Sequence, residues 1–89
     1  MKKVILYGNA NCPDCVKAKE KLDADGIRYG YVDVLAGLAH LKKIITLRDS
    51  HQAEFADQIA AGKLGIPCFV VDDKSVYVML PENYQELFR

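Results

Sequence analysis

The chain has 89 residues, enough for one compact domain over 1–89 and too few for a second. Hydrophobic residues make up 51% of it and charged residues 27%, so it can bury a core and is not disordered by composition. Twelve basic and twelve acidic residues cancel, and with no basic surplus or clustered basic face, nucleic-acid binding is not expected.

In chain order, residues 3–8, "KVILYG", are a short apolar, β-branched run ended by glycine and read as a buried strand. The opening "MKKVILYGNA" has the charged start of a signal peptide. Its apolar run, "VILY", is too short for the hydrophobic region of one, and no later segment approaches a membrane span. A cytoplasmic location and no membrane partner are therefore expected. After "NCPDC", the stretch "VKAKEKLDADG" is rich in helix formers and closes at Gly26. Residues 29–34, "YGYVDV", form a second strand. "LAGLAHLKKIITLRD" follows as an amphipathic helix with Leu38, Leu41 and Ile45 on one face. Asp49 or Ser50 caps a shorter helix, "HQAEFADQIAAG", in which Phe55 and Ile59 share a face and Gly62 marks the end. "IPCFVVDD" is a third strand, Asp72 to Lys74 a turn, and "SVYVML" a fourth strand in hairpin with it. Pro81 opens a last helix, "PENYQELF".

The order βαβααββα starts with a strand–helix–strand unit, which demands a right-handed crossover and parallel first strands. The late hairpin adds an antiparallel pair. The expectation is an α/β fold with a mixed four-stranded sheet and helices on both faces.

The chemistry sits in "YGNANCPDCVKAKEKL", residues 7–22, where Cys12 and Cys15 bracket a Pro-Asp pair. Cys-x-x-Cys serves a disulfide staple, half of a zinc site, or a redox dithiol. A structural staple is disfavoured in a reducing cytosol, and Cys68 leaves the cysteine count odd. Structural zinc needs four ligands. The only further candidates are Cys68, His40 and His51, and the two histidines, eleven residues apart, read as ordinary surface residues on or beside a helix. A Cys-x-x-Cys at the first strand–helix junction reads instead as a thioredoxin-like redox motif. Pro13 fits helix position N1, which makes Cys12 the N-cap and puts its sulfur before the free N–H groups of the first turn. Those donors and the positive helix end favour thiolate over thiol. Cys15 falls at N3, one turn on, where it can attack a mixed disulfide formed on Cys12. Asp14 reads most simply as an acid at a helix start.

"VILYGNANCPDCVKAKEKL" followed by "YVDV" resembles the first half of a glutaredoxin, and "GIPCFVVDD" resembles that family's third strand. The resemblance spans nearly the whole chain, most strongly at 3–34 and 65–73. It implies a thioredoxin-like fold and a cis Ile66–Pro67 bond lying against Cys12 and Cys15. It also implies a substrate- or glutathione-binding surface made with Pro13, Ile66 and Pro67. Three departures from the family pattern stand out. Asn9 occupies the place, three residues before the first cysteine, where glutaredoxins usually carry a lysine or arginine that meets a glutathione carboxylate. "MLPENY" stands where they usually have a Gly-Gly and acidic residues, and the segment between the second and third strands is longer.

Other residues are auxiliary candidates. Cys68, next to Pro67, reads as a third redox thiol or, more simply, as a small buried strand residue. Arg48 with Asp49 could reach the cis-proline loop and bind a substrate carboxylate, or serve as a helix-end cation. Lys17 and Lys19, on the first helix, could raise the potential near Cys12 or simply be solvated helix-face lysines. Tyr7 is expected as a ring packed near the motif. The implied activity is dithiol–disulfide exchange with Cys12 as nucleophile and Cys15 as resolving thiol. The partners are a disulfide-containing protein or a glutathione mixed disulfide, with no cofactor bound. Glutathione as co-substrate or an NADPH-dependent reductase returns the electrons, and a monomer is expected. Rival readings are a peptide-binding module with vestigial cysteines and a metal carrier using Cys12, Cys15 and Cys68.

Overall fold

The computed structural model describes residues 2–89. Strand β1 (Val4–Gly8) leads into helix α1 (Pro13–Ala24), then strand β2 (Gly30–Asp33), helices α2 (Leu38–Ser50) and α3 (Gln52–Ala60), the hairpin β3 (Cys68–Val71) and β4 (Ser75–Val78), and helix α4 (Tyr84–Phe88). The sheet order is β2-β1-β3-β4. β1 pairs parallel with β2 and antiparallel with β3, and β3 pairs antiparallel with β4. This is the mixed four-stranded sheet the element order implies, with β1 and β3 central.

Period-two alternation divides the core between the two faces. Val4 and Leu6 of β1 and Phe69 and Val71 of β3 pack with Ala18 and Leu22 of α1, Ile27, and Phe88 of α4. The rings of Phe69 and Phe88 lie 5.1 Å apart, and burying a side chain of that size contributes roughly 2–3 kcal/mol. On the other face Cys68 packs with Val34, Ile44 of α2 and Phe55 of α3. The Tyr84 hydroxyl donates to the Asp25 carboxylate at the α1 C-cap, and Gln85 Nε2 donates to the same oxygen at 3.0 Å. These bonds pin α4 across the sheet.

Four local expectations are corrected. The buried face of α2 is Ile44, with Leu41 and Leu47 half-buried beside it. Leu38 is 85% and Ile45 43% exposed. Two apolar stripes were open to this leucine- and isoleucine-rich helix, and the sheet took the one closed by Ile44. Helix α3 is not capped by Asp49 or Ser50, because α2 runs on through both; Ser50 Oγ donates to the Thr46 carbonyl, and His51 alone separates the helices. Within α3, Phe55 is buried but Ile59 is 42% exposed. Pro81 does not open α4. It begins a turn in which Tyr84 N–H donates to the Pro81 carbonyl at 3.2 Å, and the helix starts at Tyr84 after Asn83.

Candidate active site

β1 ends at Gly8, where a Cβ would stand 3.0 Å from Cys15 Sγ and 3.2 Å from Cys15 Cβ. The missing side chain lets α1 sit close enough to the strand for Cys15 to be fully buried. Asn9 then turns its side chain inward and is 7% exposed. Its amide donates to the Asp33 carboxylate at 2.9 Å, its side-chain oxygen accepts the Asn11 N–H at 2.8 Å, and its carbonyl accepts the Cys12 N–H at 3.1 Å. One residue thus binds the loop to β2 and to the backbone of Cys12.

Cys12 is the N-cap of α1, with φ −98° and ψ 113°, and Pro13 follows at the helix start. Its sulfur accepts the Cys15 N–H at 3.4 Å, the place a capping oxygen takes in other helices. Cys12 is half-buried, whereas Cys15 is sealed behind it. Burial, then the hydrogen bond to Cys12, pushes the Cys15 thiol up to about 12, against a partial opposing effect from the Asn9 backbone. Cys15 is therefore a protonated thiol beside an accessible one.

The second wall of the site comes from the loop after α3. That helix closes with Gly62 N–H donating to the Ile59 carbonyl at 3.0 Å and Lys63 N–H to that of Gln58 at 2.8 Å, a Schellman end. Gly65 has φ +99°, and a Cβ there would fall 2.5 Å from Phe55 Cδ2, so only glycine lets the loop cross the ring. The Ile66–Pro67 bond is cis. The Cys12 thiol faces the Ile66 carbonyl at 3.9 Å. A groove of about 310 Å³ opens at this point, lined by Cys12, Asp14, Lys63, Leu64, Ile66 and Met79 among others.

The other sequence-predicted residues are distributed as follows. Ile66 lines the groove; Pro67 is buried and flanks the adjoining one; Pro13 is exposed beside Cys12, but Asp14 rather than Pro13 lines the groove. Cys68 is buried on the α2–α3 side, and burial pushes its thiol up to about 12. Tyr7 pairs with Cys68 in register and lines a surface groove with Ala39, Lys42 and Leu47, away from Cys12. Burial, then the neighbouring Cys68, raises the pKa of its hydroxyl. Arg48 does not reach the cis-proline loop groove. It lies one turn after Ile44 on the same side of α2, is half-buried there, and has no hydrogen bond or ion pair among the described residues. Lys19 lies over the Tyr31 ring at 4.2 Å, and Lys17 borders the groove that holds Pro67. His40 lies on α2 and His51 beside it, as expected; His40 Nδ1 is 3.0 Å from the Asp33 carbonyl, and His51 Nδ1 is 3.7 Å from a Glu54 carboxylate oxygen. No three His, Cys, Asp or Glu side chains gather as metal ligands among the described residues. Sequence reasoning missed the Asn9–Asp33 bond, the fit of Gly8 to Cys15, and Met79. Of these, Gly8 left a signal as a glycine ending a strand before the motif, and Asn9 and Met79 showed only as departures from the family pattern.

The glutaredoxin family model matches residues 4–76. The chain belongs to the glutaredoxin family. Over 80 residues this glutaredoxin is 39% identical to an uncharacterized protein of Haemophilus influenzae, covering 90% of the chain and 92% of that protein. Its fold is similar to that of a crystallised glutaredoxin from Archaeoglobus fulgidus, with a TM-score of 0.64 at 22% identity, covering 99% of this chain and 86% of the other. The thioredoxin-like fold is thereby shown. Family and fold together point to thiol–disulfide redox chemistry. No helix among the described residues is long and apolar enough to cross a membrane.

Proposed function

We propose that this glutaredoxin is a dithiol–disulfide oxidoreductase, with Cys12 as nucleophile and Cys15 as resolving thiol. The observation that carries the reading is the asymmetry of the pair. Cys12 sits half-exposed at a groove with a backbone N–H aimed at its sulfur, and Cys15 stands protonated and buried one helical turn behind.

The Cys12 thiolate attacks one sulfur of a substrate disulfide; that S–S bond breaks, and the departing sulfur leaves as a thiolate that takes up a proton. Cys12 is then neutral in a mixed disulfide. Both the hydrogen bond to Cys12 and its charge, two of the influences holding the Cys15 proton, are gone at that point. Cys15 loses its proton, attacks the Cys12 sulfur and releases the second substrate sulfur as a thiol. The substrate disulfide has gained two electrons and two protons, and Cys12–Cys15 is oxidised. The substrate is a protein disulfide or a glutathione mixed disulfide, met by a monomer in the cytosol. Two electrons return from glutathione, two molecules of which become the disulfide, or from an NADPH-dependent reductase. The inward turn of Asn9 removes that position from glutathione recognition, which favours the reductase.

The test is a titration of the protein across glutathione to glutathione-disulfide ratios, trapped by alkylation and read by peptide mass spectrometry. A two-electron transition confined to Cys12 and Cys15 supports the reading, and its position separates glutathione from reductase coupling. The absence of any transition under oxidising ratios contradicts it.

A further inference from the structure

Met79 follows β4 and has φ +70°, a left-handed conformation that an ordinary side chain seldom adopts. Its N–H donates to the Pro67 carbonyl at 2.8 Å, so the unfavourable backbone is held in place by the loop that faces Cys12. That backbone sets the direction of the half-buried Met79 side chain, which stands between two grooves. On one side it faces the groove of Cys12, Leu64 and Ile66. On the other it faces Asp14, Lys17, Pro67 and Leu80. Strained backbone at the edge of a reactive site signals a side chain placed for use.

We infer that Met79 is a specificity-determining residue that selects substrate disulfides whose cysteine is flanked by an apolar side chain. The inference rests on the exchange chemistry proposed for Cys12. A substrate sulfur that reaches Cys12 brings its neighbouring residue into the same groove of about 310 Å³. There Leu64, Ile66 and Met79 offer apolar surface, and the unbranched, polarizable thioether adapts to side chains of different shape. The preferred occupant is therefore a peptide disulfide in a protein partner, with a residue such as leucine beside the cysteine.

The experiment uses two short synthetic peptides as symmetric disulfide dimers, identical except for leucine or glutamine beside the cysteine. Their rates of reduction by the full chain are each divided by the same protein's rate with hydroxyethyl disulfide. The expected result is a preference for the leucine peptide of about tenfold, the size a single apolar side chain commands in a pocket. Met79→Gln, equal in length but polar, should bring the ratio near one. Met79→Gly, which relieves the backbone and removes the wall, should do the same and serves if the glutamine variant does not fold. Equal rates in the wild type, or an unchanged ratio in the variants, would overturn the inference. Failure of the wild type to reduce even hydroxyethyl disulfide would instead overturn the exchange reading on which it stands.

Discussion

The side-chain amide of Asn9 donates to the Asp33 carboxylate at 2.9 Å, tying the loop that carries Cys12 to the end of the edge strand β2. The Asn9 bond, followed by the Leu35 N–H at 3.0 Å, holds the Asp33 carboxyl below its usual range. Asn9→Ala removes the buried side chain that bonds Asp33 and the Asn11 N–H, so it should lower the stability of the protein. It should also slow exchange, because the Cys12 backbone hangs from the same residue. A carboxyl lowered by folding contributes stability above its unfolded value of about 4, lost as pH falls through the lower folded value. In urea denaturation the gap between wild type and Asn9→Ala should therefore persist at neutral pH and narrow in acid. A gap of constant size down to pH 2 would show that the bond to Asp33 is not its source.

At Gly8 the prediction is steric. Gly8→Ala places a methyl group 3.0 Å from Cys15 Sγ and 3.1 Å from Leu6 Cδ2. Overpacking of this kind costs about 1–3 kcal/mol. The displaced Cys15 should resolve mixed disulfides more slowly, while the first attack by Cys12 changes less. Single-turnover kinetics separate the steps; a variant slowed only in the first would speak against this placement of Cys15.

Alkaline pH probes the two buried thiols. Cys15 and Cys68 are each pushed from 9.0 to about 12, with burial the largest cause. The folded state keeps these protons after the unfolded chain has released them. Their contribution is complete below pH 9 and is lost as pH rises from 9 through 12, on the order of 1 kcal/mol per pH unit for each thiol. Cys68→Ala should flatten that slope in the reduced protein, and oxidation of the Cys12–Cys15 pair should flatten it further. Readings between pH 9 and 10 precede most tyrosine ionisation in the unfolded chain. A slope unaffected by both changes would contradict the burial account.

A fourth expectation concerns Gly65. Gly65→Ala meets Phe55 at 2.5 Å and forces a side chain onto φ +99°. The cost should exceed about 2 kcal/mol, and thermal melting would report it as a clear fall in Tm. Phe55→Leu, by making room for the methyl group, should recover part of the loss. Additive losses in the double variant would contradict the contact.

Much of the fold was legible because local signals agreed with the topology. The apolar run at Val4–Gly8, proline after Cys12 and the Asp72–Lys74 turn each fix their element by nearby chemistry. The cap geometry of Cys12 followed from Pro13 alone. Where two local solutions were equal, tertiary contact decided: α2 offered a stripe through Leu38 and Ile45 and another through Ile44, and only the sheet could choose. Asn9 was visible as a departure from the family pattern, yet its partner Asp33 lies 24 residues away and only the fold brings them together. Met79 showed only as the start of "MLPENY", where the family usually has Gly-Gly, and methionine itself does not advertise a left-handed backbone.

The most direct test of the central claim is to trap the intermediate. Cys15→Ser protein, reduced and then exposed to glutathione disulfide, is digested and mapped by mass spectrometry. The account predicts a stable mixed disulfide on Cys12 alone, with Cys68 unmodified in its buried site, and no adduct of that lifetime in the wild type. An adduct on Cys68, or an unreactive Cys12, would contradict it.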